Sequence, residues 1–229
     1  MAKCILSLLI NLHQRGAMTI RAATEERIQS RLSDARVDEL HQIATEVFLE
    51  KGFDSASIGE MANRARASKG TYYSRYPTKE LLFAAIIKRR ADSIEAELQN
   101  TVRHDLDLQT GLRMFAERLL AVVLADETIR LDRVLSMEAH RFPELGKLFY
   151  ESGPGRVEDV FATYLREKVS QGILSVPNPK LAAEQFIDLV IGTFQRRAVL
   201  GIERSTPRER KLRVNAAVDL FLKAYLVQE

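Results

Sequence analysis

The chain has 229 residues, of which 46% are hydrophobic and 28% are charged, and its formal net charge is +3. This composition is typical of a folded protein with one large or two modest domains, and it excludes an extended low-complexity chain. The single cysteine, Cys4, excludes an intramolecular disulfide framework. The four histidines are too far apart in sequence for a local metal motif, so we expect no metal or other cofactor; they are His13, His41, His104 and His140.

Charge is unevenly distributed along the chain. Residues 1–90 carry 15 Lys and Arg against 10 Asp and Glu, whereas the remaining residues carry 19 against 21. A clustered basic segment favours binding to a nucleic-acid backbone, although any one of these charges is equally well explained as a solvated surface residue. No apolar run approaches the roughly 18 to 20 residues that a membrane-spanning helix needs. We therefore expect no membrane contact and a cytoplasmic location.

Residues 1–33 are predicted to form an N-terminal extension or arm. Their first part superficially resembles a short signal peptide. Two other interpretations are preferred: an additional amphipathic helix with apolar residues from Ile5 to Leu12 at helical spacing, or translation that begins at Met18.

Residues 34–80 are predicted to fold as three helices. Apolar residues from Val37 to Phe48 recur at helical spacing, and Gly52 follows them at a position where a glycine can adopt the left-handed cap. Ser57 and Glu60 match a capping box, which indicates that a second helix begins there.

A third helix is predicted to begin at Ser68 and to extend to Tyr76. Pro77 stops it, because proline lacks an amide donor and restricts the residue before it. Thr78 then provides a cap for a long helix from Lys79 to about Val102.

This segment carries the residues of a known family pattern: Gly52-Phe53, Ser57-Ile58, Met61-Ala62 and Ser68-Lys69-Gly70-Thr71-x-Tyr73-x-x-Tyr76-Pro77-x-Lys79-Glu80-Leu81. The pattern resembles the N-terminal helix-turn-helix of the TetR/AcrR regulators over residues 36–90. The resemblance implies that the helix after Ser68 enters the major groove of double-stranded DNA. Arg75 and Tyr76 depart from the usual family residues, so base preference does not carry over.

The resemblance also implies which residues meet DNA. Lys69 and Tyr73 would hold phosphates, Thr71 and Tyr72 would touch base edges or a thymine methyl, and Lys79 would contact a phosphate from the next helix. A core position is the alternative for Tyr73 and, more strongly, for Tyr76. The predicted DNA-binding set is Ser57, Arg66, Ser68, Lys69, Gly70, Thr71, Tyr72, Tyr73 and Lys79.

Arg66 occupies the position where the family usually has the glycine of the turn. A left-handed conformation there would cost a residue with a side chain roughly 1 to 2 kcal/mol, which a phosphate contact would offset. This departure is the one feature that favours the alternative function, a helical protein-interaction adaptor with a vestigial helix-turn-helix.

Residues 81–229 are predicted to be helical throughout, with no strand alternation. Residues 130–202 resemble, more loosely, the C-terminal domain of the AefR-like branch of the family. The predicted fold class is therefore all-α, with an N-terminal three-helix helix-turn-helix domain and a C-terminal helical bundle for ligand binding and dimerisation. After the long helix, the predicted helices are 107–125, 127–139, 143–151, 154–171, 179–200 and 207–227.

The family implies two uses of this bundle. One is a homodimer in which residues 179–200 and 207–227 pair across a two-fold axis, although their apolar faces are equally suited to the core. The other is a cavity for an unknown apolar or amphipathic effector. The sequence does not locate the cavity; the candidate lining residues, each more often an ordinary core residue, are Phe115, Met137, His140, Phe161, Tyr164 and Phe186, with Leu119, Phe149 and Phe194 as further members.

Taken together, these features favour a ligand-responsive transcriptional regulator rather than an enzyme. No metal-ligand, nucleophile–base or phosphate-loop spacing rises above chance. We expect a repressor that binds an inverted-repeat operator as a dimer and is released by the effector.

Overall fold

The computed structural model describes residues 35–101, 106–202 and 204–227. The predicted arm of residues 1–33 lies outside them. The described residues are helical apart from turns and one isolated bridge between Leu174 and Leu226, so the predicted all-α class is confirmed. Their helices are α1 (35–55), α2 (Ile58–Arg64), α3 (Lys69–Tyr73), α4 (Lys79–Gln99), α5 (Leu108–Val123), α6 (Asp126–Glu138), α7 (Pro143–Ser152), α8 (Pro154–Ser170), α9 (Pro179–Ile191), α10 (Phe194–Val199) and α11 (Pro207–Tyr225).

The described residues form two compact units. The smaller unit, here called the head, comprises residues 35–47 and 57–75. The larger unit, here called the body, comprises residues 48–56 and the described residues from 76 onward. Helix α1 therefore begins in the head and ends in the body.

Local capping explains where the head helices begin. The Ser57 Oγ accepts a hydrogen bond from the Glu60 amide at 3.2 Å, and the Ser68 Oγ accepts one from the Thr71 amide at 3.1 Å. These bonds satisfy amides that would otherwise lack a partner in the first turn. The Glu60 carboxylate also pairs with Arg64 at 2.8 Å, one turn further along α2.

Two residues with positive φ lie near the ends of α1 and α2. Gly52 has φ 75°, as its predicted capping role requires, although the helix of the structure extends three residues beyond it, to residue 55. Arg66 has φ 49° and is the only described non-glycine residue with a positive φ. The predicted backbone strain in the turn is therefore present.

The centre of the body is a stack of aromatic rings. Phe161 of α8 lies 4.3 Å from Phe115 of α5 and 4.9 Å from Phe186 of α9, measured between ring centroids. Phe186 in turn meets Phe221 of α11 edge-on at 5.1 Å. Aromatic burial on this scale contributes much of a core's stability, and it joins four helices that are distant in sequence.

The predicted single helix over 179–200 is wrong, because α9 ends at Ile191 and α10 begins at Phe194. Gly192 between them has φ 50°. A Cβ atom there would lie 2.6 Å from Nη1 of Arg213 in α11; the arginine side chain could move away, but the positive φ itself favours a glycine. The Arg213 guanidinium also lies 5.2 Å from the Phe194 ring.

Candidate DNA-binding surface and effector cavity

The surface formed by α2, the turn and α3 is strongly basic. Residues 58–75, which form this surface, contain four Lys or Arg and one acidic residue, Glu60, which is paired with Arg64. Arg66, Lys69 and Arg75 are exposed, and none of the three makes an ion pair within the described ranges. Three exposed cations that make no ion pair give this side of the head a positive potential that suits a phosphate backbone.

The side chain of Lys69 is held against the start of α2. A Cβ atom on Gly59 would lie 3.0 Å from the Lys69 Cε and 3.4 Å from its Nζ. The lysine stem therefore crosses the backbone of α2 where a side chain is missing, and the ammonium emerges beside the first turn of α2. This packing restricts the ammonium to one region of the surface.

The small residues of α3 form a polar edge. The hydroxyls of Ser68 and Thr71 lie 3.0 Å apart and hydrogen bond to each other. Ser57, Ser68 and Gly70 are exposed, and Thr71 is half-buried. Ser57 and Ser68 already cap helices.

Tyr72 is not available for the predicted base contact, because its side chain is completely buried in the head. Its hydroxyl donates a 3.0 Å hydrogen bond to the Leu40 carbonyl of α1. Burial raises the pKa of the Tyr72 phenol to about 12, which keeps it a donor at neutral pH. Tyr72 is thus a structural anchor between α3 and α1.

Tyr73 has the opposite orientation, with 50% of its surface exposed, so the core alternative considered for it does not hold. The helix also ends at Tyr73 rather than at the predicted Tyr76. The Ser74 hydroxyl donates to the Thr71 carbonyl at 3.1 Å, and the Arg75 amide donates to the Tyr72 carbonyl at 3.0 Å. These bonds close the last turn before Pro77.

Lys79 does not have the free ammonium that its predicted phosphate contact requires. It lies in the body, where its Nζ donates to the carbonyls of Phe53, Asp54 and Ala56 at 2.7, 3.1 and 3.3 Å. The same atom lies 4.5 Å from the centroid of the Phe53 ring. An ammonium has three donors, and here all three have carbonyl partners. Lys79 therefore fastens the end of α1 to the start of α4.

A cavity of about 560 Å³ lies within the body. Helices α4 to α10 all contribute to its wall, which is largely aliphatic. Such a volume and lining are typical of a site for a small organic ligand. The apolar wall includes Ile87, Ala91, Ile94, Leu119, Val123, Leu131, Phe149, Val157, Ile187, Ile191 and Val199.

Four polar side chains form a group on this wall: Arg90, Thr128, Asp132 and Gln195. Arg90 Nη2 donates to the Thr128 hydroxyl at 3.3 Å, and Gln195 Nε2 donates to Asp132 Oδ2 at 3.2 Å. Burial raises the pKa of the Asp132 carboxyl, and hydrogen bonds from Gln195 and Ser136 oppose that shift. Within the described ranges, no three His, Cys, Asp or Glu residues are grouped to hold a metal ion.

None of the six residues that sequence reasoning selected for the cavity lines it. Phe115, Phe161 and Phe186 form the aromatic core, and Tyr164 is buried beside Gly111, with its pKa raised to about 12 by burial. Met137 is 76% exposed, and His140 is exposed as well. Of the further candidates, Leu119 and Phe149 do line the cavity.

A sequence pattern indicates the cavity-lining residues that the sequence analysis did not select. Ile87, Arg90, Ala91 and Ile94 follow the i, i+3, i+4, i+7 spacing of an inward helix face, so Arg90 is a charge within an apolar stripe. Thr128, Leu131, Asp132 and Leu135 repeat that arrangement on α6. A polar residue within such a stripe indicates a cavity or a buried pair more often than a solvated surface.

The last two long helices retain an exposed apolar stripe. Most of the predicted dimer-face residues, including Phe186, Val190, Val218 and Phe221, are buried within the chain. The exposed residues are Leu181 on α9 and Leu212, Ala216, Leu220 and Ala224, which recur every fourth position on α11.

In the described part of the chain, no helix is both long and apolar enough to span a membrane.

These features define a helix-turn-helix protein with a helical, cavity-containing body. Residues 42–86 match the family model described as bacterial regulatory proteins, tetR family, and residues 110–227 match that of the AefR-like transcriptional repressor, C-terminal domain. The second match covers more than half of the chain. The chain belongs to the TetR family of transcriptional regulators, as the residue pattern around Ser68 indicated.

Individual relatives agree with this assignment. A TetR-family protein from Mesorhizobium loti is 29% identical with a TM-score of 0.80, over 85% of this chain and 98% of that one. The flavonoid-responsive regulator FrrA is 32% identical with a TM-score of 0.75, over 86% and 100%. The transcriptional activator FasR of Mycolicibacterium smegmatis is 32% identical over 84 residues, which are 37% of this chain and 38% of the length of FasR.

Proposed function

We propose that the protein is a ligand-responsive repressor that binds an inverted-repeat operator as a homodimer in the cytoplasm. The observation that carries this proposal is the coexistence of an exposed cationic helix-turn-helix surface and a 560 Å³ apolar cavity in one chain. Lys69, Arg66 and Arg75 supply phosphate contacts, while Thr71 and Tyr73 are the side chains placed to reach bases or sugar. The vestigial adaptor has less support, because three exposed cations remain unpaired within the described ranges.

The direct test is selection of bound sequences from a random duplex pool, followed by fluorescence anisotropy on the selected duplex over a salt series. We expect an inverted repeat, and an affinity that falls steeply with salt because phosphate contacts release counterions. Failure to enrich any sequence would favour the adaptor. A reporter downstream of the selected operator then distinguishes repression from activation, which matters because the relative FasR is named an activator.

The exposed stripe on α9 and α11 is the proposed dimer interface. Leu181, Leu212 and Leu220 are 47%, 61% and 53% exposed. Exposure of three leucines on adjacent helices is unusual for a monomer. A palindromic operator needs two heads held about 34 to 36 Å apart, and a two-fold interface must be self-complementary, as one stripe repeated in both chains can be. Leu220→Arg should give a monomer by light scattering, whereas Met137→Arg on α6 should not. A wild-type monomer at assay concentrations would refute the interface.

The effector is proposed to occupy the cavity that helices α4 to α10 line. Its wall is mostly aliphatic with several polar side chains, which suits an amphipathic molecule. Flavonoids are the first compounds to test, because FrrA is flavonoid-responsive and shares 32% identity. Titration of flavonoids into the preformed protein–DNA complex should lower DNA affinity by roughly 5- to 150-fold if the coupling has its usual size.

The body offers a route by which the cavity would affect the head. Residues 48–56 at the end of α1 are held by α4 through Lys79 and by α6 through Arg130, whose Nη2 donates to the Leu49 carbonyl at 3.2 Å. Both helices also line the cavity. A ligand that separates α4 from α6 would therefore shift the end of α1, which continues in sequence from the head.

The turn between α6 and α7 adds two contacts to the same segment. Arg141 pairs with Asp54, and the Phe142 ring lies 5.5 Å from that of Phe53. Phe142→Ala should leave effector affinity near wild type but reduce the effect of the effector on DNA binding. Lys147→Ala on α7 is the matched control. Unchanged coupling in Phe142→Ala would remove this contact from the route.

A further inference from the structure

Asp132 is a carboxylate on the cavity wall without a cationic partner. Its Oδ2 accepts a hydrogen bond from Gln195 Nε2 at 3.2 Å, and its Oδ1 receives only a long 3.5 Å contact from the Ser136 hydroxyl. No Lys or Arg pairs with it in the described part of the chain. A carboxylate that is partly withdrawn from water normally has such a partner, so its place on this wall calls for another explanation.

The carboxylate retains acceptor capacity towards the cavity. An ionised Asp has about four lone-pair sites, and the two neutral donors on Asp132 occupy no more than two of them. Both donors come from the protein wall, one from α10 and one from the next turn of α6. A ligand that supplies an O–H would complete the coordination and reduce the cost of burying the charge.

The cavity wall carries four other charged side chains. Arg90 donates to Thr128 at 3.3 Å and lies 3.8 Å from Glu127, but its Nε is buried without a hydrogen-bond partner, and Glu158 is paired with Lys180 at 3.1 Å. Asp188 and Arg196 are opposite in sign. The remaining group is Asp132, which repels a carboxylate in a medium of low dielectric constant.

We propose that Asp132 is the specificity-determining residue of the cavity and selects a ligand with a hydroxyl group that donates to its carboxylate. This inference rests on the proposed effector site. It deepens that proposal, because an apolar cavity alone would accept alcohols, ethers and carboxylic acids of similar size.

The test uses four probes with one apolar body: para-phenylphenol, its O-methyl ether, para-phenylbenzoate and para-phenylbenzylamine. Each is titrated by calorimetry into wild type, Asp132→Asn and Asp188→Asn. Wild type should bind the phenol at least about tenfold more tightly than the ether or the benzoate, as a hydrogen bond to a charged acceptor implies. Asp132→Asn should bring the phenol and ether affinities close together, whereas Asp188→Asn, the same change on the same wall, should keep the preference.

Each other outcome overturns a specific statement. A phenol-to-ether ratio near one in wild type, or a ratio unchanged in Asp132→Asn, would remove the role of Asp132 while the cavity stands as an effector site. Tighter binding of the amine than of the phenol would assign Asp132 to a cationic ligand. If none of the four probes binds wild type, the proposed effector cavity itself is refuted, and the role of Asp132 with it. Circular dichroism of both variants confirms that they are folded.

Discussion

The head and the body use their polar residues in opposite ways. The head leaves Arg66, Lys69 and Arg75 exposed on one surface, so its function depends on groups that remain in water until a polyanion arrives. The body places Arg90 and Asp132 on the wall of an apolar cavity, where each has a protein partner. A local segment of sequence is sufficient to build the first surface, whereas the second requires seven helices to assemble.

The largest expected effect is a loss of head stability on substitution of Tyr72, the buried residue that anchors α3 to α1. Tyr72→Ala removes a completely buried ring and its bond to Leu40, so we expect a loss of about 3 to 5 kcal/mol in the stability of the head. Tyr72→Phe removes only the hydroxyl and should cost about 1 kcal/mol. Denaturant titrations followed by circular dichroism, at one fixed protein concentration, measure both. A stable Tyr72→Ala protein with weak DNA binding would instead restore the predicted base contact.

Substitution of Lys79 tests whether this basic residue of the family pattern contacts DNA or stabilises the fold. Lys79→Met keeps the stem over Phe53 but removes an ammonium with three carbonyl partners, so we expect a loss on the order of 2 kcal/mol in the stability of the body. The salt dependence of DNA binding should not change under conditions where the variant is folded. A smaller salt slope with full stability would show that the ammonium meets phosphate instead.

The same comparison explains what the sequence could predict. Caps at Ser57 and Ser68 are interactions between residues three apart, so their spacing indicates them. Which of the two tyrosines, Tyr72 or Tyr73, is buried could not be predicted, because α3 has only five residues and the two adjacent positions carry the same residue type. Which one faces α1 is decided by the Leu40 carbonyl, 32 residues earlier.

In the body, the errors arise from contacts that are distant in sequence. The break between α9 and α10 falls at Gly192, which has a positive φ and the Arg213 guanidinium of α11 beside it, and the apolar spacing of 179–200 alone does not indicate it. The six selected cavity residues were large, and large apolar side chains fill space: Phe115, Phe161 and Phe186 stack on each other instead of lining a void. The smaller aliphatic residues on α4, α5 and α9 line it.

Lys69 gives a moderate effect that is confined to DNA binding. Lys69→Ala should weaken affinity for all duplexes about equally and reduce the magnitude of the salt slope by about 1, as expected for one phosphate contact. Thermal stability should hardly change, because the ammonium has no partner in the described residues and only the stem packs near Gly59. Lys147→Ala on the body should leave both DNA measurements at wild-type values. Altered sequence preference in Lys69→Ala would assign the residue to a base instead.

The smallest expected effect is a gain in stability rather than a loss, and it concerns Asp132 on the cavity wall. Burial raises the pKa of Asp132 above its ordinary value of 3.8, so the folded state binds the proton more tightly than the unfolded state. The associated stability is fully present below pH 3.8 and is lost as the pH rises through the folded-state pKa, which leaves a penalty at neutral pH. Asp132→Asn should therefore be more stable than wild type at pH 7. Denaturation at a series of pH values should show that difference shrinking as the pH falls towards 3.8. A variant less stable than wild type at pH 7 would mean that the carboxylate stabilises the empty body, and the cost that a ligand hydroxyl is proposed to relieve would not exist.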